Sequence, residues 1–199
     1  MRRKPIENAA LLRQNGGGPA CRINSEGGER LKRKKMLAAT FVFLVAALLL
    51  IYGMSAQTGD VSDGMSLSIA RFFVSLLHPD FDHLDAAQRQ ALLWNANRIV
   101  RKVAHGLEYA LLGAALALHL RLLLPRQKPR FPLALSLGLG IAYAALDEWH
   151  QMFVTGRTMQ ASDVLADAAG LLCGIAAVWR AANRMAAGQG GSDDRAHPG

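Results

Sequence analysis

Residues 36–53, "MLAATFVFLVAALLLIYG", run for 18 positions without a charge. At 1.5 Å per residue such a helix covers about 27 Å, close to the hydrocarbon thickness of a bilayer. The pattern predicts a first membrane-spanning helix. Three further apolar stretches, 103–124, 131–149 and 162–182, also have the length of spans, and each contains ionisable groups. Hydropathy alone leaves the second and fourth ambiguous, and a soluble helical bundle is the competing architecture. The charge-free first segment and the basic loops favour the membrane. The predicted fold class is therefore an all-α membrane protein with four transmembrane helices.

About 50 residues separate the first and second spans. Within them "SLSIARFFVSLL", 66–77, repeats apolar residues at i, i+3 and i+4, which predicts an amphipathic helix with Ser66 as N-cap and "HPD" as its end. A second helix is expected to begin near Asp85 and run to the basic edge "NRIVRK", 97–102. Both are read as interfacial helices on the outer leaflet or over the mouth of the bundle; a connecting hairpin with no further role is the alternative.

The 199 residues are 51% hydrophobic but only 7% aromatic, which suits Ala- and Leu-rich helices better than a β-rich core. Charge is unevenly placed. Ten of the 23 Lys and Arg precede Met36, against three acids there, so most of the net +8 belongs to the first 35 residues. With "NGGGP" and "SEGGER", residues 1–35 are expected to be a basic, disordered cytoplasmic tail; 36–182 form the membrane domain and 183–199 a second disordered tail. A basic run directly before an apolar segment fits anionic lipid better than nucleic acid, since no aromatic interleaving accompanies it, and no nucleic-acid partner is expected. A cleaved signal peptide is the other reading of 36–53, but the basic region before it is far longer than an n-region. Cys21 and Cys173 are too differently placed to pair, and Cys173 reads as a small packing residue.

Counting Lys and Arg by side gives 17 inside and 6 outside when the N-terminus is cytoplasmic. Both termini then lie in the cytoplasm. Trp94 and Trp149 fall near the outer interface and Trp179 near the inner one. The start of span two, the end of span three and the start of span four share the outer side. On span two Arg101, His105 and Glu108 fall on one helix face, with Lys102 beside them. "LDEWHQ" puts Asp147, His150 and Gln151 on one side of span three, with Glu148 turned to a neighbour. In span four Asp163 and Asp167 precede a Gly170 to Gly174 seam suited to close helix approach. The "MFVTGRTMQAS" connection hangs Arg157 over the cluster, and Gly156 gives its backbone freedom to turn.

Three readings of this cluster compete. An ion-pair network can tie the helix ends together without any ligand. Convergent polar groups and Arg can bind a headgroup or wall precursor. The spacings His105-x-x-Glu108 and Asp147-x-x-His150 also match carboxylate and histidine pairs of helical metal sites, which allows a metal-dependent hydrolase or transferase with Glu108 or Glu148 as base. No metal or cofactor is assigned.

Ser55 and Gln57 after the first span, then "RKVAHGLEYALLG", "DEWHQMFVTGR" and an Asp followed by "AGLLCG", occur in one order, and from Gln57 through Gly174 the chain resembles the VanZ-like membrane proteins, a family named for a bacterial teicoplanin-resistance protein. The resemblance implies a small multi-pass protein of the bacterial inner membrane, linked in its namesake to reduced glycopeptide susceptibility, with no established reaction. It carries Arg101, Lys102, His105, Glu108, Tyr109, Asp147, Glu148, Gln151, Arg157 and Asp163 as its signature set. Asp167 stands where the family usually has Asn, and the basic tail is an extension. The expected ligand is an envelope lipid or lipid-linked wall precursor; oligomeric state does not follow. A reporter fused after Pro125 should read cytoplasmic, and a periplasmic signal there would reverse the orientation.

Overall fold

The computed structural model describes residues 19–157 and 161–193, with side chains at 27–157 and 162–185. Among these residues the chain forms five α-helices and no strand: α1 (Pro19–Ser55), α2 (Gly59–Leu77), α3 (Ala86–Leu123), α4 (Arg130–Gln151) and α5 (Ala161–Asp193), with a 3₁₀ turn at Phe81–His83. Four of them, α1, α3, α4 and α5, are long and apolar enough to cross a bilayer. The protein is a multi-pass, all-α membrane protein.

The helix ends depart from the expected ones. Residues 27–35, read as part of a coil, are helical and continue into the first span. Leu, Lys, Arg and Glu are good helix formers, and no proline interrupts them before the apolar run. Residues 1–18 lie outside the described ones, as does the side chain of Cys21. At the other end α5 continues past 182 to Asp193, where a tail was expected, and residues 194–199 are outside the described ones. The chain divides into two compact units between residues 39 and 40, and the helical bundle with its polar end belongs to the second.

α2 starts at Gly59, not Ser66. Ser66 is buried in its middle and donates its hydroxyl to the Ser62 carbonyl at 3.0 Å, a bond back one turn that needs no cap. α3 begins where expected, through a capping box: Asp85 accepts from the Gln88 amide at 2.8 Å, and the Gln88 side chain accepts from the Asp85 amide at 3.3 Å. No break separates it from span two. The residues expected to form a second interfacial helix and those of the span are one 38-residue helix, about 57 Å long, because nothing between 86 and 123 is a proline and Gly106 and Gly113 sit in packed positions.

α3 is the centre of the bundle. It packs most extensively on α5, and also on α2 and α4. The seam at Gly170 and Gly174 lies against the α3 backbone at Gly106 and Ala110, so closely that a Cβ on either glycine would meet a main-chain carbonyl. Lipid gives helices little hydrophobic reason to associate, so such contact, with its dispersion gain, is what holds the pair. Around it Tyr109, Leu112 and Ala115 of α3, Ala144 of α4, Leu171 of α5, and Ala47 and Ile51 of α1 form one buried cluster. Cys173 is exposed and does not pack inside: two residues on from buried Leu171, it is turned about 200° round the helix. Phe41, Leu49, Leu139, Leu165 and Leu172 likewise face outward, as lipid-facing side chains do.

Gly174→Ala should lower stability in detergent by about 1–3 kcal/mol, the usual cost of overpacking. Gly138→Ala, where a Cβ would meet nothing within 4 Å, should leave it level or slightly higher. Equal thermal midpoints for the two variants would refute the close seam.

Candidate functional site

The end of the bundle at which α1 and α4 finish, and at which α5 and the spanning part of α3 start, collects the ionisable side chains. A cavity of about 90 Å³ opens there between α1, α2, α3 and α4. Five of the twelve residues singled out in the sequence line it: Arg101, His105 and Glu108 from successive turns of α3, Asp147 from α4, and Arg157 from the loop after α4. The periodicity of α3 is enough to aim the first three inward. Asp147 is aimed by the face it shares with buried Ala144 and Gln151.

Behind the cavity lie groups with almost no exposure. Asp167 of α5 is fully buried, and its carboxylate stands 3.6 Å from His105 Nδ1, an ion-pair distance too long for a hydrogen bond. Neither Asp167 oxygen accepts a hydrogen bond from a described residue. Tyr109 and Glu148 are buried too and line neither this cavity nor the next. Gln151, also buried, donates its amide to Asp147 at 3.1 Å and accepts from Arg157 at 3.4 Å. A relay thus runs from Asp147 through Gln151 to Arg157.

Arg157 does more than hang over the cluster. Its Nη2 donates to the Met54 carbonyl at 3.0 Å and its Nε to the Gln57 carbonyl at 3.2 Å. The first lies in the last turn of α1 and the second two residues past its end, where main-chain acceptors lack helical partners and the helix dipole is negative. The guanidinium therefore caps α1 from a distant part of the chain. Gly156, at φ +75°, makes the turn that brings it there, and the same turn seats Gly59, whose amide donates to the Thr155 carbonyl at 3.0 Å. Burial, then the neighbouring Arg101 charge, draw the Arg157 pKa below the ordinary guanidinium range, while Asp147, Asp63 and Glu108 pull the other way.

Lys102 and Asp163 are not in this cavity. With Asp63, Trp94, Asn97, Arg98 and Arg101 they line a second, of about 300 Å³, further along α3 toward its N-terminus. Arg101 belongs to both and pairs with Asp63 of α2. His150 faces neither: it turns to α1 and stacks on Tyr52, with ring centroids 5.5 Å apart. Asp63, Ser62 and Ser66 were missed in the sequence. Starting α2 at Ser66 left the first two outside any helix; the turn-by-turn spacing of residues 59, 62 and 66 was the available signal.

The family model VanZ/LLP1 matches residues 40–182, most of the chain and all of this site. The chain belongs to the VanZ/LLP1 family. No curated protein and no solved structure matches it. Among the described residues of this VanZ/LLP1 protein, no three His, Cys, Asp or Glu side chains converge closely enough to hold a metal ion. The spacing on each helix suits a metal, but His105 faces Asp167 and His150 faces Tyr52.

Arg157→Lys keeps a charge but not the fork that reaches two carbonyls and an amide. The loss should cost about 1.5–3 kcal/mol for each charge-assisted bond not remade. A thermal midpoint equal to that of the wild type would mean the cap contributes nothing.

Proposed function

We propose that this VanZ/LLP1 protein sits in the bacterial inner membrane with both termini in the cytoplasm, and that its polar site binds a phosphate-bearing amphiphile of the outer leaflet. Envelope phospholipids and lipid-linked wall precursors share that chemistry. Occupying either at the outer surface is the route by which the protein would alter glycopeptide susceptibility. The observation that carries this reading is the position of Arg101. It stands between the inner cavity and the wider one, with Arg98 and Lys102 beside it, and so offers planar and point-charge donors to one phosphate. His105 and Glu108 line the space beyond, where a headgroup hydroxyl or amide would find a donor and an acceptor.

A second reading has its own support. Arg101 already pairs with Asp63, and Arg157 is held by α1 and Gln151, so the charges also work as a clasp between helix ends. The metal-dependent alternative lacks a convergent ligand set among the described residues.

Trp94 lines the wider cavity and can report on its occupancy. In nanodiscs of neutral lipid, titration with phosphatidylglycerol or with a polyprenyl phosphate should give a saturable change in fluorescence, and the tighter of the two identifies the source. Arg101→Gln should weaken it at least tenfold, about 1.4 kcal/mol. Binding absent from the wild type, or unchanged in a folded Arg101→Gln variant, leaves only the clasp.

A further inference from the structure

The two polar cavities that meet at Arg101 differ in charge. The wider one holds Arg98, Arg101 and Lys102 against Asp63 and Asp163 and is net positive. The inner one has Glu108 and Asp147 in its wall and fully buried Asp167 behind it. Arg101 is offset there by its ion pair with Asp63, which leaves Arg157 and His105 as the facing cations. The inner end is therefore acidic even with His105 protonated. We propose that the inner cavity is a subsite for a primary ammonium group, so that the ligand is an ethanolamine phospholipid with its phosphate at Arg98, Arg101 and Lys102 and its ammonium among Ser55, Glu108 and Asp147. The proposal rests on the phosphate-binding function above and names the class of headgroup.

Three observations call for a ligand cation that carries N–H donors. The first is that the cations in the wall are already committed. Arg157 donates through Nε and Nη2 to the Gln57 and Met54 carbonyls and through Nη1 to Gln151, and Arg101 pairs with Asp63. Glu108 makes no hydrogen bond or salt bridge with a described residue. A carboxylate among membrane spans needs a partner, and a ligand charge can supply it.

The second is Ser55, the last residue of α1. It lines the cavity at 3% exposure, yet its hydroxyl has no partner among the described residues. A helical serine commonly returns its hydroxyl to the carbonyl one turn back, as Ser66 does, and a buried hydroxyl left unpaired costs about 1–3 kcal/mol. The third is the set of acceptors. Ser55, Glu108 and Asp147 reach one cavity from α1, α3 and α4, and a primary ammonium has three N–H donors to distribute, as the Lys side chain does. A trimethylammonium brings the charge without the donors and leaves Ser55 unpaired. A metal ion is the other cation to consider, but no three His, Cys, Asp or Glu among the described residues converge to hold one.

The test uses the full chain in phosphatidylcholine nanodiscs, with phosphatidylethanolamine or phosphatidylglycerol added in rising mole fraction and Trp94 fluorescence as the readout. Wild type should half-saturate at a mole fraction at least about tenfold lower with the ethanolamine lipid. Glu108→Gln, close in shape but uncharged, should bring the two lipids to within about twofold, because a bond to a charged group is lost. Ser55→Ala, which removes one oxygen and no charge, should cut the preference about fivefold. Soluble glycerophosphoethanolamine should displace the bound lipid before glycerophosphoglycerol does; the reverse order overturns the proposal. Equal half-saturation of wild type by the two lipids, with Arg101→Gln weakening both, refutes the ammonium subsite and spares the phosphate site. A folded Glu108→Gln variant that keeps the full preference refutes the subsite as well. No saturable response to either lipid or to polyprenyl phosphate removes the function on which it rests.

Discussion

The approach of the α3 and α5 backbones at Gly106 with Gly170, and at Ala110 with Gly174, governs much of what surrounds it. Side chains missing from one helix let the carbonyls of the other come within contact, and no hydrophobic effect is available in lipid to replace that packing. One turn before Gly170 stands Asp167, and one residue before Gly106 stands His105. Their 3.6 Å separation exists because the backbones are close. Were the helices an ordinary 8–10 Å apart, the imidazole would withdraw and strand a fully buried carboxylate, at a cost of several kcal/mol. The seam and the buried acid therefore depend on each other.

α1 is attached differently. Ala47 and Ile51 enter the core, and at this end of the helix other segments bond to main-chain carbonyls: Tyr143 donates to that of Leu48 at 3.0 Å, and Arg157 to those of Met54 and Gln57. At the opposite end of this segment Thr40 Oγ1 lies 3.0 Å from His119 Nδ1. Bonds to a helix's own carbonyls fix its position along the bundle without requiring a particular side chain on it. The relay from Asp147 through Gln151 to Arg157 then joins the cavity wall to that anchor, so the end of α1 and the shape of the cavity are mechanically one object.

The sequence made the spans legible because eighteen uncharged residues, or a stripe of carboxylates on one face, have few other uses. It also made legible that Arg101, His105 and Glu108 look the same way, since helical spacing alone fixes this. Helix ends were harder. Ser66 has the composition of a cap yet bonds back to Ser62 inside α2, and the basic residues 97–102, which resemble the edge of a surface helix, lie in the middle of α3. Composition marks where a helix can end, and only packing decides whether it does. His150 shows a further limit: the spacing that puts it near Asp147 leaves the neighbour unspecified, and an aromatic ring on α1 took it.

Whether the polar end is a clasp or a site turns on what its charges leave unfilled. A clasp is most stable when its groups bond one another, as Arg157, Gln151 and Asp147 do. The cavity that Asp147 and Arg157 also line is nevertheless open. Arg101, His105 and Glu108 line a volume of about 90 Å³, which adjoins a second polar cavity through Arg101 and an apolar groove through Val100 and Ala104. Holding polar walls apart next to a hydrocarbon-lined trench forgoes packing on both sides. An amphiphile bound as proposed would recover part of that packing at Arg101, His105 and Glu108.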